Sequence, residues 1–173
     1  MRERRFENII LIGFMGTGKS SVGHALADRL GWSYADTDAE IERVSQQTIP
    51  SIFAEQGEIA FRTIESKVLV KVLSGGRQVI ATGGGAVLAA ANQVCMLSNG
   101  WVVRLTADAE TIIARVTKDP QRPLLAGNVS ERVYRLLQDR AHAYDFADQM
   151  IQTDALTIDE IVEQIVERFS SLN

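Results

Sequence analysis

Short runs of β-branched and aliphatic residues alternate along the chain with longer stretches of helical periodicity. The apolar runs are NIILIG (8–13), SYADTD (33–38), QVIATGGG (78–85), WVVRLT (101–106) and QMIQTD (149–154). Alternation of this kind predicts an α/β domain with a parallel sheet covered on both faces, because parallel strands are joined by crossover helices that bury the sheet. Among the helical stretches, GKSSVGHALADRLG repeats apolar residues at Val22, Leu26, Ala27 and Leu30, and Gly31 stands where a left-handed cap ends a helix. Two segments interrupt the alternation. Residues 39–73 are helical but long for one crossover, and residues 117–128, TKDPQRPLLAGN, are rich in turn formers. They are expected to be a substrate-binding insertion and a mobile lid within a single domain spanning residues 1–173.

Composition changes this picture little. A chain of 173 residues fits one domain with a real core, and 46% apolar with 23% charged residues is the balance of an ordinary globular protein. Eighteen basic against 22 acidic residues give a net charge of −4, so no global field draws the chain to nucleic acid or an anionic membrane. Any bound anion must be held by local groups. The single cysteine, Cys95, leaves no internal disulfide or multi-cysteine metal site and is expected to be buried apolar filler in a reducing compartment. The basic start MRERR precedes an apolar run, residues 9–12, too short for a targeting peptide, and no stretch approaches the ~20 apolar residues of a membrane span. A cytoplasmic monomer without nucleic-acid or membrane partners is the expected form.

The chemistry concentrates at the ends of the strands. Gly13, Gly16, Gly18, Lys19 and Ser20 satisfy G-x-x-x-x-G-K-[ST] between a predicted strand and a predicted helix. Glycines let backbone N–H groups curl around phosphate oxygens, the helix N-terminus adds a positive dipole, Lys19 reaches the β/γ-phosphates and the Ser20 hydroxyl ligates Mg²⁺. Thr17 and Ser21, beside them, are assigned to the same nucleoside triphosphate. The bland alternative is a glycine turn with a surface lysine. In a usual nucleotide hydrolase a second apolar strand ends in an Asp that helps hold Mg²⁺, but QVIATGGG ends in Thr82 and glycines, so the nearest candidate carboxylates are Asp36 and Asp38 of ADTD. Strand alternation puts both on one side, one facing Mg²⁺ and the other a substrate hydroxyl, unless either merely caps a helix beginning near Ala39.

Gly83, Gly84 and Gly85 end another strand, where three bare residues suit close approach of backbone to a ligand, with N–H donors facing it, or else make a flexible turn. In SERVYRLLQDRAHAYDF, Arg140 sits inside the stripe of Val133, Leu136, Leu137, Ala141 and Tyr144. An inward guanidinium requires an anion, either a structural Asp or Glu or a bound substrate. Arg62 borders the apolar face of Phe61, Ile64, Val68 and Val72, with an intrahelical pair to Glu58 or Glu65 as its alternative. Arg122, in the turn-rich QRPLLAG, is either a lid arginine that neutralises γ-phosphate charge or a solvated loop residue.

GFMGTGKS, DTD, FR before a long helix, TGGG, RPLL and RAHAY occur in the order and approximate spacing of shikimate kinases, and the resemblance runs from about Ile9 to Asp145. It implies a three-layer P-loop kinase fold like that of nucleoside monophosphate kinases, with five parallel strands in the order 2-3-1-4-5. The implied reaction is transfer of the ATP γ-phosphoryl group to the 3-hydroxyl of shikimate, a step toward chorismate and the aromatic amino acids. By this resemblance Arg62 and Arg140 bind the shikimate carboxylate, with the Gly83–Gly85 backbone beside the substrate. Asp38 contacts the ring hydroxyls and acts as base or orienting acceptor, and Asp36 organises Mg²⁺ through water. Arg122 is the lid arginine, and Arg115 falls where the family often stacks an arginine on adenine. A gluconate-type kinase or a non-catalytic nucleotide-binding regulator are the competing expectations.

Overall fold

The computed structural model describes residues 6–119 and 127–172. Among these, five strands form one parallel sheet: β1 (Asn8–Ile12), β2 (Ser33–Asp36), β3 (Gln78–Ala81), β4 (Trp101–Thr106) and β5 (Gln149–Gln152). Their spatial order is β2-β3-β1-β4-β5, as the resemblance implies. β1 pairs with β3 from Asn8↔Gln78 to Leu11↔Ala81 and with β4 from Ile9↔Trp101 to Ile12↔Arg104.

The uninterrupted apolar run of β1 follows from having both faces covered. Ile9 and Leu11 pack with Val22 and Leu26 of α1 (Lys19–Leu30) and with Ile161, Ile165 and Phe169 of α7 (Ile158–Ser170). Ile10 and Ile12 point the other way, toward Leu69 and Leu73 of α3 (Ile49–Leu73) and Met96 of α4 (Ala90–Asn99). Each fully buried aliphatic side chain contributes roughly 1.5–3 kcal/mol, which anchors the strand whose carboxyl end carries the glycine loop. Gly31 ends α1 in the left-handed region (φ 65°), with its N–H directed to Ala27 O and Asp28 O.

The long helical segment is two helices, α2 (Thr37–Ser45) and α3, and α3 breaks at Gly57 (φ 82°, ψ 174°), a conformation that favours glycine. Ile41, Ile52, Phe61 and Val68 give these helices a small core of their own. A second one, around Phe14, Ile112, Val116 and Val133, joins the glycine loop to α5 (Ala109–Thr117) and α6 (Val129–Asp139). Among the described residues no helix is long and apolar enough to cross a membrane.

Two expectations are corrected here. α6 stops at Asp139 and Arg140 is its C-cap (φ −105°, ψ 11°), so the helical stripe does not continue: Ala141 is exposed, and Tyr144 turns into the Ile10–Ile12 side of the sheet core. Cys95 is only half-buried on α4, at the fringe of that core.

Candidate active site

The loop after β1 is shaped by backbone. Gly13 (φ 151°) passes so close to the Leu105 carbonyl oxygen that a Cβ there would collide with it, and Gly18 (φ 95°, ψ 18°) starts α1 without any side-chain cap. The first turn of α1 also lacks an acid, leaving its amide groups and the helix dipole to an external anion. Lys19 Nζ donates to Gly13 O at 2.7 Å and Phe14 O at 3.0 Å, so the cation is held over the loop. Thr17 is buried and its hydroxyl donates to Phe14 O at 2.8 Å, while Ser20 and Ser21 are exposed at the start of the helix. Arg115 comes to the same loop from α5, donating to Gly16 O at 3.0 Å. This donor set fits a polyphosphate. Among the described residues no group of three or more His, Cys, Asp or Glu could hold a metal. An Mg²⁺ ion held by one or two protein oxygens and substrate phosphates would need an oxygen donor beside the phosphate loop, and the exposed Ser20 hydroxyl at the start of α1 fits that need.

The two aspartates do not lie on one side of a strand as alternation predicts. β2 ends at Asp36 and α2 starts at Thr37, two residues earlier than expected, so strand alternation does not relate Asp36 to Asp38. Asp36, not Asp38, is the N-cap, its Oδ1 accepting from Asp38 N at 2.9 Å and Ala39 N at 3.1 Å. That leaves the Asp38 carboxylate available to the cleft. Burial, then the negative charges of Asp36 and Glu65, push Asp38 up to about 6, with Lys19 opposing.

The glycine turn after β3 explains where Asp38 goes. Thr82 extends the ladder by donating to Leu11 O at 3.1 Å, and the Gly83 N–H, expected to face a ligand, donates instead to Thr37 Oγ1 at 3.1 Å. A Cβ at Gly83 would lie 2.5 Å from Asp38 Oδ1, and one at Gly85 would lie 2.5 Å from Arg62 Nη1. A Cβ at Gly84 would lie 3.7 Å from each of Arg140 Nη1, Gly13 O and Met15 N. None of the three glycines has a positive φ. Space rather than backbone freedom is what the turn requires: it gathers an aspartate from α2, an arginine from α3, an arginine from the end of α6 and the phosphate loop.

Arg62 makes the intrahelical pairs and also reaches the glycine turn. Its Nη1 pairs with Glu65 Oε1 at 2.8 Å and its Nη2 with Glu58 Oε1 at 3.5 Å, while the same guanidinium lies against Gly85. Glu65 is a site residue that sequence reasoning treated only as a partner. It is 2% exposed, and burial raises its pKa although Arg62 and Arg140 both oppose the shift. The signal was present: Glu65 sits between Phe61 and Leu69 on the buried face of α3, an acid inside an apolar stripe. Arg122 lies outside the described residues.

Comparison with known proteins gives the family. The family model for shikimate kinase matches residues 15–170. The shikimate kinase of Pelotomaculum thermopropionicum is 44% identical over 161 residues, 92% of this chain and 94% of that protein. That of Gloeobacter violaceus is 46% identical over 151 residues, 86% of this chain and 85% of its own. Among solved structures, the shikimate kinase from Acinetobacter baumannii in complex with shikimate superposes with a TM-score of 0.90 at 38% identity, covering 96% of this chain and 94% of that one. A family model spanning nearly all of the chain, relatives at these identities along almost its full length and a shared five-stranded sheet place it without ambiguity: the chain belongs to the shikimate kinase family of ATP-dependent phosphotransferases.

Proposed function

We propose that the carboxyl edge of the sheet holds ATP on the loop at Gly13–Ser20 and shikimate against the glycine turn, and that these residues carry out transfer of the γ-phosphoryl group to the 3-hydroxyl. The convergence on Gly83, Gly84 and Gly85 of Asp38, Arg140 and Arg62 beside the phosphate loop carries this reading. Arg62 and Arg140 bind the acceptor carboxylate. Asp38 faces a hydroxyl as base or orienting acceptor. Ser20 would hold Mg²⁺ directly and Asp36 through water, and the bound ion supplies charge neutralisation on the phosphate oxygens. Gly13, Gly16, Gly18, Lys19 and the backbone around Thr17 and Ser21 bind the phosphates, with Arg115 on the adenine side and Arg122 as the arginine of the 117–128 lid.

Charge balance supports the pairing of these two ligands. A triphosphate and a carboxylate repel one another in one cleft, and Lys19, Arg140 and the part of the Arg62 charge not taken up by Glu65 and Glu58 offset that repulsion. Phosphoryl transfer asks little covalent chemistry of the protein, so rate comes mainly from positioning and preorganised electrostatics. The test is ADP release measured against a panel of hydroxy acids. Turnover with shikimate and not with gluconate is expected; ATP binding without acid-dependent ADP release, or preference for gluconate, would overturn the reading.

Two substitutions separate the acceptor from the nucleotide. Arg140→Ala should weaken shikimate binding by about 2–5 kcal/mol, the usual cost of truncating one partner of a desolvated charge pair, with ATP affinity nearly unchanged. Calorimetric titration with each ligand decides this, and equal losses for both contradict it. Gly85→Ala should raise the KM for shikimate about tenfold or more, because the new methyl takes the place of the Arg62 guanidinium, at an overpacking cost of about 1–3 kcal/mol in stability. An alanine variant with unaltered KM would show that Arg62 does not act from that position.

A further inference from the structure

Tyr144 has a role in the acceptor side that none of the motifs assigned to it. Its hydroxyl donates to the carbonyl oxygen of Gly84 at 2.8 Å, and the Arg140 guanidinium stands beside both, its Nη1 3.7 Å from where a Cβ at Gly84 would lie and its charge favouring the ionised phenol. The ring is 3% exposed in the core beside Ile10, Ile12 and Met96, and the Arg104 guanidinium stands 5.2 Å from its centroid. Arg104 is in turn held by Asp145 at 3.1 Å. A buried phenol needs a partner for its hydroxyl, and here that partner is the middle of the glycine turn, with the Arg140 guanidinium beside it. Burial also holds Tyr144 above the usual phenol range, so it remains a donor throughout the neutral range.

We propose that Tyr144 is a positioning residue for the acceptor: its hydroxyl fixes the Arg140 guanidinium and the Gly84 carbonyl relative to each other, so that the substrate carboxylate meets a preset fork. A long arginine side chain alone loses considerable freedom on binding, and a rigid two-torsion phenol set against it in the unliganded protein removes part of that loss beforehand. This rests on Arg140 as the carboxylate ligand, proposed above.

The test is Tyr144→Phe, which keeps the ring and its packing. Shikimate affinity and KM should weaken about fivefold to tenfold, the scale of one lost hydrogen bond to a charged group, with kcat changed less than KM and ATP affinity unchanged. In an Arg140→Ala background the same substitution should have almost no further effect on shikimate affinity. A lower Tm with unchanged shikimate affinity, or fully additive losses in the double variant, would overturn the proposal while leaving shikimate turnover by the wild type intact. A measurement needing no variant stands beside it: the guanidinium protons of Arg140 in the unliganded wild-type protein should exchange slowly with solvent, and exchange at the rate of a solvated arginine contradicts the role.

Discussion

Lys19→Ala is expected to lower turnover by at least about 10³-fold while the protein remains folded, the upper end of what one preorganised charge-stabilising donor supplies. The lysine opens α1, and its ammonium bonds the Gly13 and Phe14 carbonyls of the phosphate loop. Removing it costs those two part-buried bonds, about 1.5–3 kcal/mol each at most for a charged donor, and water entering in its place offsets part of that loss, so the domain with its two buried sheet faces stays folded. The same cation is one of the groups that restrains the rise in the Asp38 pKa, so its loss should also make that carboxylate harder to ionise. Steady-state turnover, ATP titration and thermal unfolding of the variant together check the claim. Near-normal turnover would remove the P-loop assignment, and loss of cooperative unfolding would make Lys19 structural.

Residues whose roles depend on local periodicity were legible in the chain, and those whose roles depend on meeting a distant element were not. NIILI reads as a buried strand because both faces of β1 are covered, and Gly31 reads as a cap because the left-handed region selects glycine. The aspartates are different. Alternation holds only within a strand, and here the chain changes from extended (Asp36, φ −116°, ψ 120°) to helical between them, which makes the first the cap and frees the second. Arg140 was placed in a helical stripe, yet α6 ends one residue before it, and it reaches Gly84 from a turn. Its inward orientation was inferred correctly from a helical geometry it does not have. The space demanded at Gly83 and Gly85 comes from side chains 45 and 23 residues away in sequence, Asp38 and Arg62, and no local pattern encodes such an approach. Glu65 needed only the rule applied to Arg140, that a charge inside an apolar stripe has a partner, extended to acids.

Asp38→Asn is expected to lower kcat by about 10²–10⁴-fold with shikimate still bound, the range of a positioned proton transfer, and to do so without loss of stability. The second half follows from linkage. Burial and the neighbouring acids raise the Asp38 pKa from the ordinary 3.8 to about 6 in the folded chain, so folding favours the protonated form. Its contribution is fully present below about pH 4 and is lost as pH rises through about 6, a difference of about 3 kcal/mol against the fold in the unliganded protein at neutral pH. Asparagine removes that charge. The variant should therefore unfold at an equal or higher temperature than the wild type at pH 8, and should lack the share of stability that the wild type loses between pH 4 and 6. Activity moves in the opposite sense: the ionised carboxylate is the competent form, so kcat/KM of the wild type should fall below about pH 6, and this limb should be absent from the variant's residual activity. Single-turnover rates at saturating shikimate, set against calorimetric affinity, separate the two chemical roles. A rate loss with binding retained marks a base; comparable losses in both mark an acceptor that orients the hydroxyls. Capping, the third role open to this residue, belongs to Asp36 instead. An asparagine variant unchanged in both rate and affinity would therefore leave Asp38 with no role in the site, and a variant less stable than the wild type at pH 8 would mean that its carboxylate is stabilised in the cleft rather than strained there.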